Sequence, residues 1–171
     1  MRDAGFTLVE TMIATTVLAG ALMLLGEVVL AATRATGDAA ALSYATVLAA
    51  QKLEQLRTLA MNVDASGLAV TDTSTNTAAV PEAAIGGTGL APSPASAADV
   101  NTAGYVDFLD GAGVSLGGGG AQPTGAVYVR RWSILALPSN PDDTRLLQVV
   151  VSRIDRRGAV RLTTVKVRKA S

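Results

Sequence analysis

Glu10 is a carboxylate inside an apolar run. From Phe6 to Ala32 the chain reads FTLVETMIATTVLAGALMLLGEVVLAA, 27 residues whose only charges are Glu10 and Glu27. An ionised acid within a membrane segment costs on the order of 2–3.5 kcal/mol at the centre and less near the edge, so a partner is expected. One partner is local. Thr7-Leu8-Val9-Glu10 has the form of a capping box, in which the glutamate returns to a free backbone N–H at a helix start. The other is a cation supplied by a second molecule, since an intramembrane acid marks a functional site by default.

Little else in the chain can do chemistry. There is no histidine, which removes the usual general base and the commonest metal ligand, and no cysteine, which removes thiolate nucleophiles, cysteine-ligated metals and disulfides. Ser-His-Asp and Cys-His catalysis are therefore excluded, and no enzyme activity is expected. Gly117–Gly120 is followed by neither Lys-Ser/Thr nor a helix pattern, so it is not a phosphate loop. Asp107-Phe108-Leu109-Asp110-Gly111 lacks the alternating ligands and terminal glutamate of a calcium loop. It reads as solvated turn carboxylates, and neither a metal nor a cofactor is expected.

The elements that would position Glu10 follow from hydropathy and spacing. At about 1.5 Å per residue, the 21 residues from Phe6 to Gly26 span roughly 31 Å, the thickness of a bilayer's hydrocarbon core. A secretory signal peptide would have a shorter apolar core and a better cleavage site than Val29-Leu30-Ala31. Beyond residue 32 the pattern turns amphipathic. Leu42, Ala45, Ala49, Leu53, Leu56 and Ala60 are spaced 3, 4, 4, 3 and 4, one stripe of a helix expected to pack on the protein's own sheet. Glu54 and Arg57 stand at i,i+3 off that stripe. Gly37-Asp38 is the one place where the helix could break before about Met61.

At these residues a resemblance becomes specific. Met1-Arg2-Asp3-Ala4-Gly5 followed by Phe6-Thr7-Leu8-Val9-Glu10 resembles the processing signal of type IV prepilins and type II secretion pseudopilins. The resemblance implies a pilin-like α+β fold and a structural role. It also implies cleavage after Gly5 by a prepilin peptidase, N-methylation of Phe6, and Glu10 as the fifth residue of the mature chain. In assembly that carboxylate would neutralise the Phe6 amine of a neighbour, fixing an axial stagger between subunits. The implied location is the bacterial inner membrane, single-pass, with the C-terminal part in the periplasm before incorporation into a pilus or pseudopilus. The implied partners are other pilins or pseudopilins and the peptidase. Asp3 cancels Arg2, so the orientation rests on the resemblance and not on charge counting. Small residues at Ala14, Ala19, Gly20, Ala21 and Gly26 would allow helices to approach closely.

The resemblance implies a leader at 1–5 and a membrane or filament helix at 6–32; composition and pattern divide the rest into an amphipathic continuation at 33–61, a turn-rich segment at 62–125 and a sheet at 126–171. In the turn-rich segment, short strands are expected near Leu68–Thr71 and Gly104–Leu109. Residues 61–125 hold six acids and no Lys or Arg, whereas residues 126–171 hold ten Lys and Arg against three acids. Such asymmetry fits either an interaction surface or two parts of one domain that attract each other, and the sequence does not choose between them. Ala126–Leu137, Arg145–Ile154 and Ala159–Arg168 read as a three-stranded antiparallel meander, with residues 138–144 as its first turn. Arg130, Arg131, Arg153, Arg161, Lys166 and Arg168 are expected on its open face, with Trp132 in the core. The alternative to a structural subunit is a pilus-tip module binding DNA or a surface through that basic face, with Tyr128 and Trp132 available for base stacking. Within the family, the missing cysteines and the YVRRWSI strand look most like PilV-type minor pilins or I-type pseudopilins.

Overall fold

The computed structural model describes residues 7–63, 69–71, 76–78, 88–155 and 158–168. A 51-residue helix, α1 (Leu8–Thr58), is followed by strands β1 (Met61–Val63) and β2 (Ala69–Thr71), a 3-10 turn at Ala95–Ala98, and strands β3 (Val106–Leu109), β4 (Ser115–Gly117), β5 (Tyr128–Leu137), β6 (Asn140–Arg153) and β7 (Ala159–Val167). β1 and β2 form a small antiparallel pair, and the other five make an antiparallel sheet in the order β4-β3-β5-β6-β7. The architecture is α+β, a long N-terminal helix with its C-terminal part packed on a five-stranded sheet, and is consistent with a pilin-like fold.

The chain divides into two compact units, Met1–Ala40 and Ala41–Ser171. Helix runs through Gly37-Asp38 without a break and ends at Thr58, three residues short of the expected Met61, which instead opens β1. Residues 41–58 contain no proline and are rich in Ala and Leu, so propensity and packing agree there. Among the last-turn carbonyls that a helix cannot satisfy internally, that of Arg57 accepts from the Lys166 ammonium on β7.

Ala45, Leu48, Ala49, Lys52 and Leu56 are the buried helix positions, and Leu53 is half-buried. Leu42 and Ala60, expected on the same stripe, are exposed. The small Ala45 and Ala49 let the helix backbone approach the sheet, where Trp132, Ile134, Leu147, Val149 and Val151 complete a core that water does not reach. Register places Tyr128, Arg130, Trp132 and Ile134 opposite Arg153, Val151, Val149 and Leu147 on the helix-facing side of the sheet. Val106, Phe108 and Val129 form a smaller cluster on the other side.

The sheet exceeds the expected meander by two strands, because β3 and β4 come from the turn-rich segment. The expected 138–144 turn narrows to Pro138-Ser139, with β6 beginning at Asn140 and a register shift between Ala136 and Leu137 absorbing the additional residues. β3 covers β5 only as far as Arg131. Beyond it, Trp132 donates its backbone N–H to Tyr105 O at 3.0 Å, Ser93 donates its N–H to Ile134 O at 2.8 Å, and the Ile134 N–H reaches Ser93 Oγ at 3.0 Å. Irregular backbone thus completes the strand's edge.

Candidate functional site

In the first unit, α1 carries the capping box read from the sequence. The Thr7 backbone N–H donates to Glu10 Oε2 at 2.9 Å, the Thr7 hydroxyl donates to the same oxygen at 3.0 Å, and the Glu10 N–H donates to Thr7 Oγ1 at 3.3 Å. Gly5 and Phe6, the expected processing residues, lie outside the described residues.

The side chains of this helical segment are apolar and turned outward on every face. Leu8, Met12, Val17, Met23 and Val28 are among the large hydrophobic residues more than half exposed. The segment is long and apolar enough to cross a membrane, and none of its most apolar stretch is buried in the protein. Exposure on this scale marks a membrane or protein contact surface. Its threonines do not add polarity to that surface. Thr11 donates to Leu8 O at 2.8 Å, Thr15 to Thr11 O at 2.9 Å, Thr16 to Met12 O at 2.8 Å, Thr33 to Val29 O at 2.9 Å and Thr36 to Ala32 O at 2.9 Å. Each hydroxyl is satisfied by its own helix.

In the second unit a charged cluster lies between helix and sheet. Asp107 on β3 accepts from Arg130 on β5 at 3.0 Å to Nε and 2.6 Å to Nη2, and Arg130 Nη1 donates to Leu48 O at 3.1 Å. The Lys52 ammonium stands 4.0 Å from Asp107 Oδ2, donates to Thr77 O, and sits 3.9 Å from the centroid of the Trp132 ring. Lys52, Asp107 and Arg130 are all buried. Sequence reasoning missed this cluster, although one signal was available. Lys52 follows Ala49 by three and precedes Leu56 by four, which places it on the apolar stripe.

Two expectations are corrected here. Asp107 is not a solvated turn carboxylate; it is paired and inaccessible to water. Asp110 does form a turn, accepting the Ala112 and Val114 N–H groups at 2.8 and 2.9 Å. No group of three or more His, Cys, Asp or Glu poised for a metal occurs among the described residues. Nor do the six basic residues share an open face. Arg130 is buried, Lys166 reaches the end of α1, and Arg153 lies opposite Tyr128 on the helix-facing side. Arg131 and Arg161 do face away, and both meet the segment after the 3-10 turn. Arg131 Nε donates to Asn101 Oδ1 at 2.8 Å, and Arg161 Nη2 to Asp99 Oδ1 at 3.0 Å. Burial lowers the Arg131 pKa while the Asp99 charge opposes that shift. The acidic middle and the basic sheet therefore meet at Asp99–Arg161 on one face and Asp107–Arg130 on the other.

Trp132 is fully buried, as expected, and Tyr128 is buried with its ring 5.7 Å from that of Tyr44. Neither ring offers a stacking surface. A cleft of about 390 Å³ opens beside the charged cluster, between Gln51 and Gln55 of the helix and the Gly113–Ser115 loop. Its charged groups, Lys52 and Arg130, are those already engaged with Thr77 O, Asp107 and Leu48 O.

Comparison of the chain with protein-family models, with curated proteins and with solved structures returned no match.

Proposed function

We propose that this chain is a structural subunit, a minor pilin or pseudopilin, of a type IV pilus or type II secretion pseudopilus. The observation that carries the reading is the first unit: an apolar helix exposed on all sides, with an acid, Glu10, held by a capping box at its start. A soluble protein would bury such a helix, and a plain membrane anchor has no need of an acid there. Prepilin peptidase removes residues 1–5, Phe6 becomes the methylated terminus, and the helix holds the subunit in the inner membrane with the sheet in the periplasm. On assembly the helix exchanges lipid for the flanks of other pilins, and Glu10 neutralises a neighbour's Phe6 amine. In a low-dielectric bundle such a pair is far stronger than on a surface, although both ions lose hydration.

The second reading, a tip module holding nucleic acid on a basic sheet, is favoured by none of the side-chain placements described above. The proposal is tested by the mass of the chain isolated from membranes. Loss of the first five residues with one added methyl group is the expected result; the intact 171-residue mass would overturn it.

A further inference from the structure

We propose that the cleft between α1 and the Gly113–Ser115 loop binds a small aliphatic carboxylate. The inference goes beyond the filament reading and does not depend on it. At about 390 Å³ the cleft lies near the small end of the range of about 300–1,000 Å³ found for small-molecule sites. Its charged lining residues are both cations, Lys52 and Arg130, and no acid lines it among the described residues. Asp107, which both cations approach, is wholly buried and is not part of the lining. An anion entering the cleft therefore meets positive charge at its wall, where water screens little.

Donors are available as well as charge. A guanidinium carries five N–H groups, and Arg130 spends three of them, two on Asp107 and one on Leu48 O. Two remain, on a residue that is itself only 6% exposed. The Gln51 side-chain amide makes no hydrogen bond among the described residues. Ser115 Oγ accepts the Gly117 N–H at 3.3 Å, which leaves the hydroxyl proton to donate. Leu109 and the exposed Val114 add apolar surface for a short hydrocarbon stem. An inorganic phosphate would use the donors but leave that surface against water, so the combination fits a carboxylate on a stem. The mouth is shaped before any ligand arrives. Asp110 holds the Ala112 and Val114 N–H groups, and Gly113, at φ +80°, brings the loop so close to α1 that a Cβ there would lie 2.6 Å from the Tyr44 hydroxyl. A pre-formed site loses little entropy on binding.

The test titrates the full chain, in detergent micelles at neutral pH, with sodium butyrate while the fluorescence of Trp132 is followed. That residue is the single tryptophan, and Lys52 Nζ lies 3.9 Å from its ring centroid. A saturable change with a Kd on the order of 1 mM is expected, and none with butyramide or with sodium chloride at the same concentration. Gln51→Leu combined with Ser115→Ala should weaken butyrate binding by about fivefold or more. Val114→Glu, which sets a like charge at the rim, should abolish it, and both variants should melt as the parent does. The absence of a saturable response would overturn the proposal. So would an equal response to butyramide or sodium chloride, tighter binding of inorganic phosphate than of butyrate, or parental affinity in both variants. None of these results bears on the filament reading, which the mass of the mature chain decides separately.

Discussion

Arg130 grips Asp107 with two hydrogen bonds, at 3.0 and 2.6 Å, and turns its remaining terminal nitrogen to the carbonyl of Leu48 on the helix. One side chain thereby ties strand β3, strand β5 and α1 together at a place water does not reach. A bidentate fork of this kind is specific in angle as well as distance, which an ammonium could not match.

Breaking that grip should be costly. Asp107→Asn leaves Lys52 and Arg130 buried without their carboxylate, a loss of about 3–5 kcal/mol. A thermal melt followed by circular dichroism should show the midpoint falling by roughly 10–20 °C. A drop of only a degree or two would mean that the cluster is solvated in practice.

Glu10 can be tested with its two roles separated. Glu10→Gln keeps an acceptor for the Thr7 N–H and so preserves the capping box, but removes the charge. We expect normal membrane insertion for both Glu10→Gln and Glu10→Ala, and at least about a tenfold loss of the subunit from sheared filaments. Wild-type recovery of Glu10→Gln would show that the cap alone matters.

Processing depends on Gly5 in the reading proposed here. Gly5→Ala should accumulate the precursor, visible as a slower band in membranes. Mature mobility in that variant would count against cleavage at this bond.

Asp143 should contribute to acid sensitivity. Its hydrogen bond to Arg168, with Nε at 2.5 Å, holds its pKa below the ordinary carboxylate value. A group depressed in the folded state stabilises above its unfolded pKa of about 3.9, and the contribution fades as pH falls through the lower folded value. Between neutral pH and about pH 3, Asp143→Asn should therefore show a shallower fall in melting temperature than the parent chain. Parallel curves would remove Asp143 from the account.

Periodicity made the long helix and the last three strands legible, because α1 repeats every three to four residues and β5 to β7 are β-branched runs divided by turn residues. It reached β3 only as a short strand near Gly104–Leu109 and failed for Asp107 within it, because Val106-Asp107-Phe108-Leu109 is buried on both faces and the aspartate reads as a turn former. The partner of Asp107 lies 23 residues away on the neighbouring strand, and Lys52 is farther still. No local pattern encodes that meeting. Arg130 was misplaced for the same reason. A charge on a strand reads as solvent-facing until its counter-ion is located. The Glu10 capping box was legible because both of its partners lie within four residues.

The sealing of β5 by Ser93 and Tyr105 has a consequence for handling the protein. An open strand edge is a template on which foreign chains can nucleate, and here the long central strand offers none past Arg131. The outer rim of β7 is where clumping on overproduction would begin, with Arg161 and Lys166 as its gatekeepers. Neutralising those two cations would cost solubility and would also release the Lys166 bond to the Arg57 carbonyl and the Arg161 pair with Asp99.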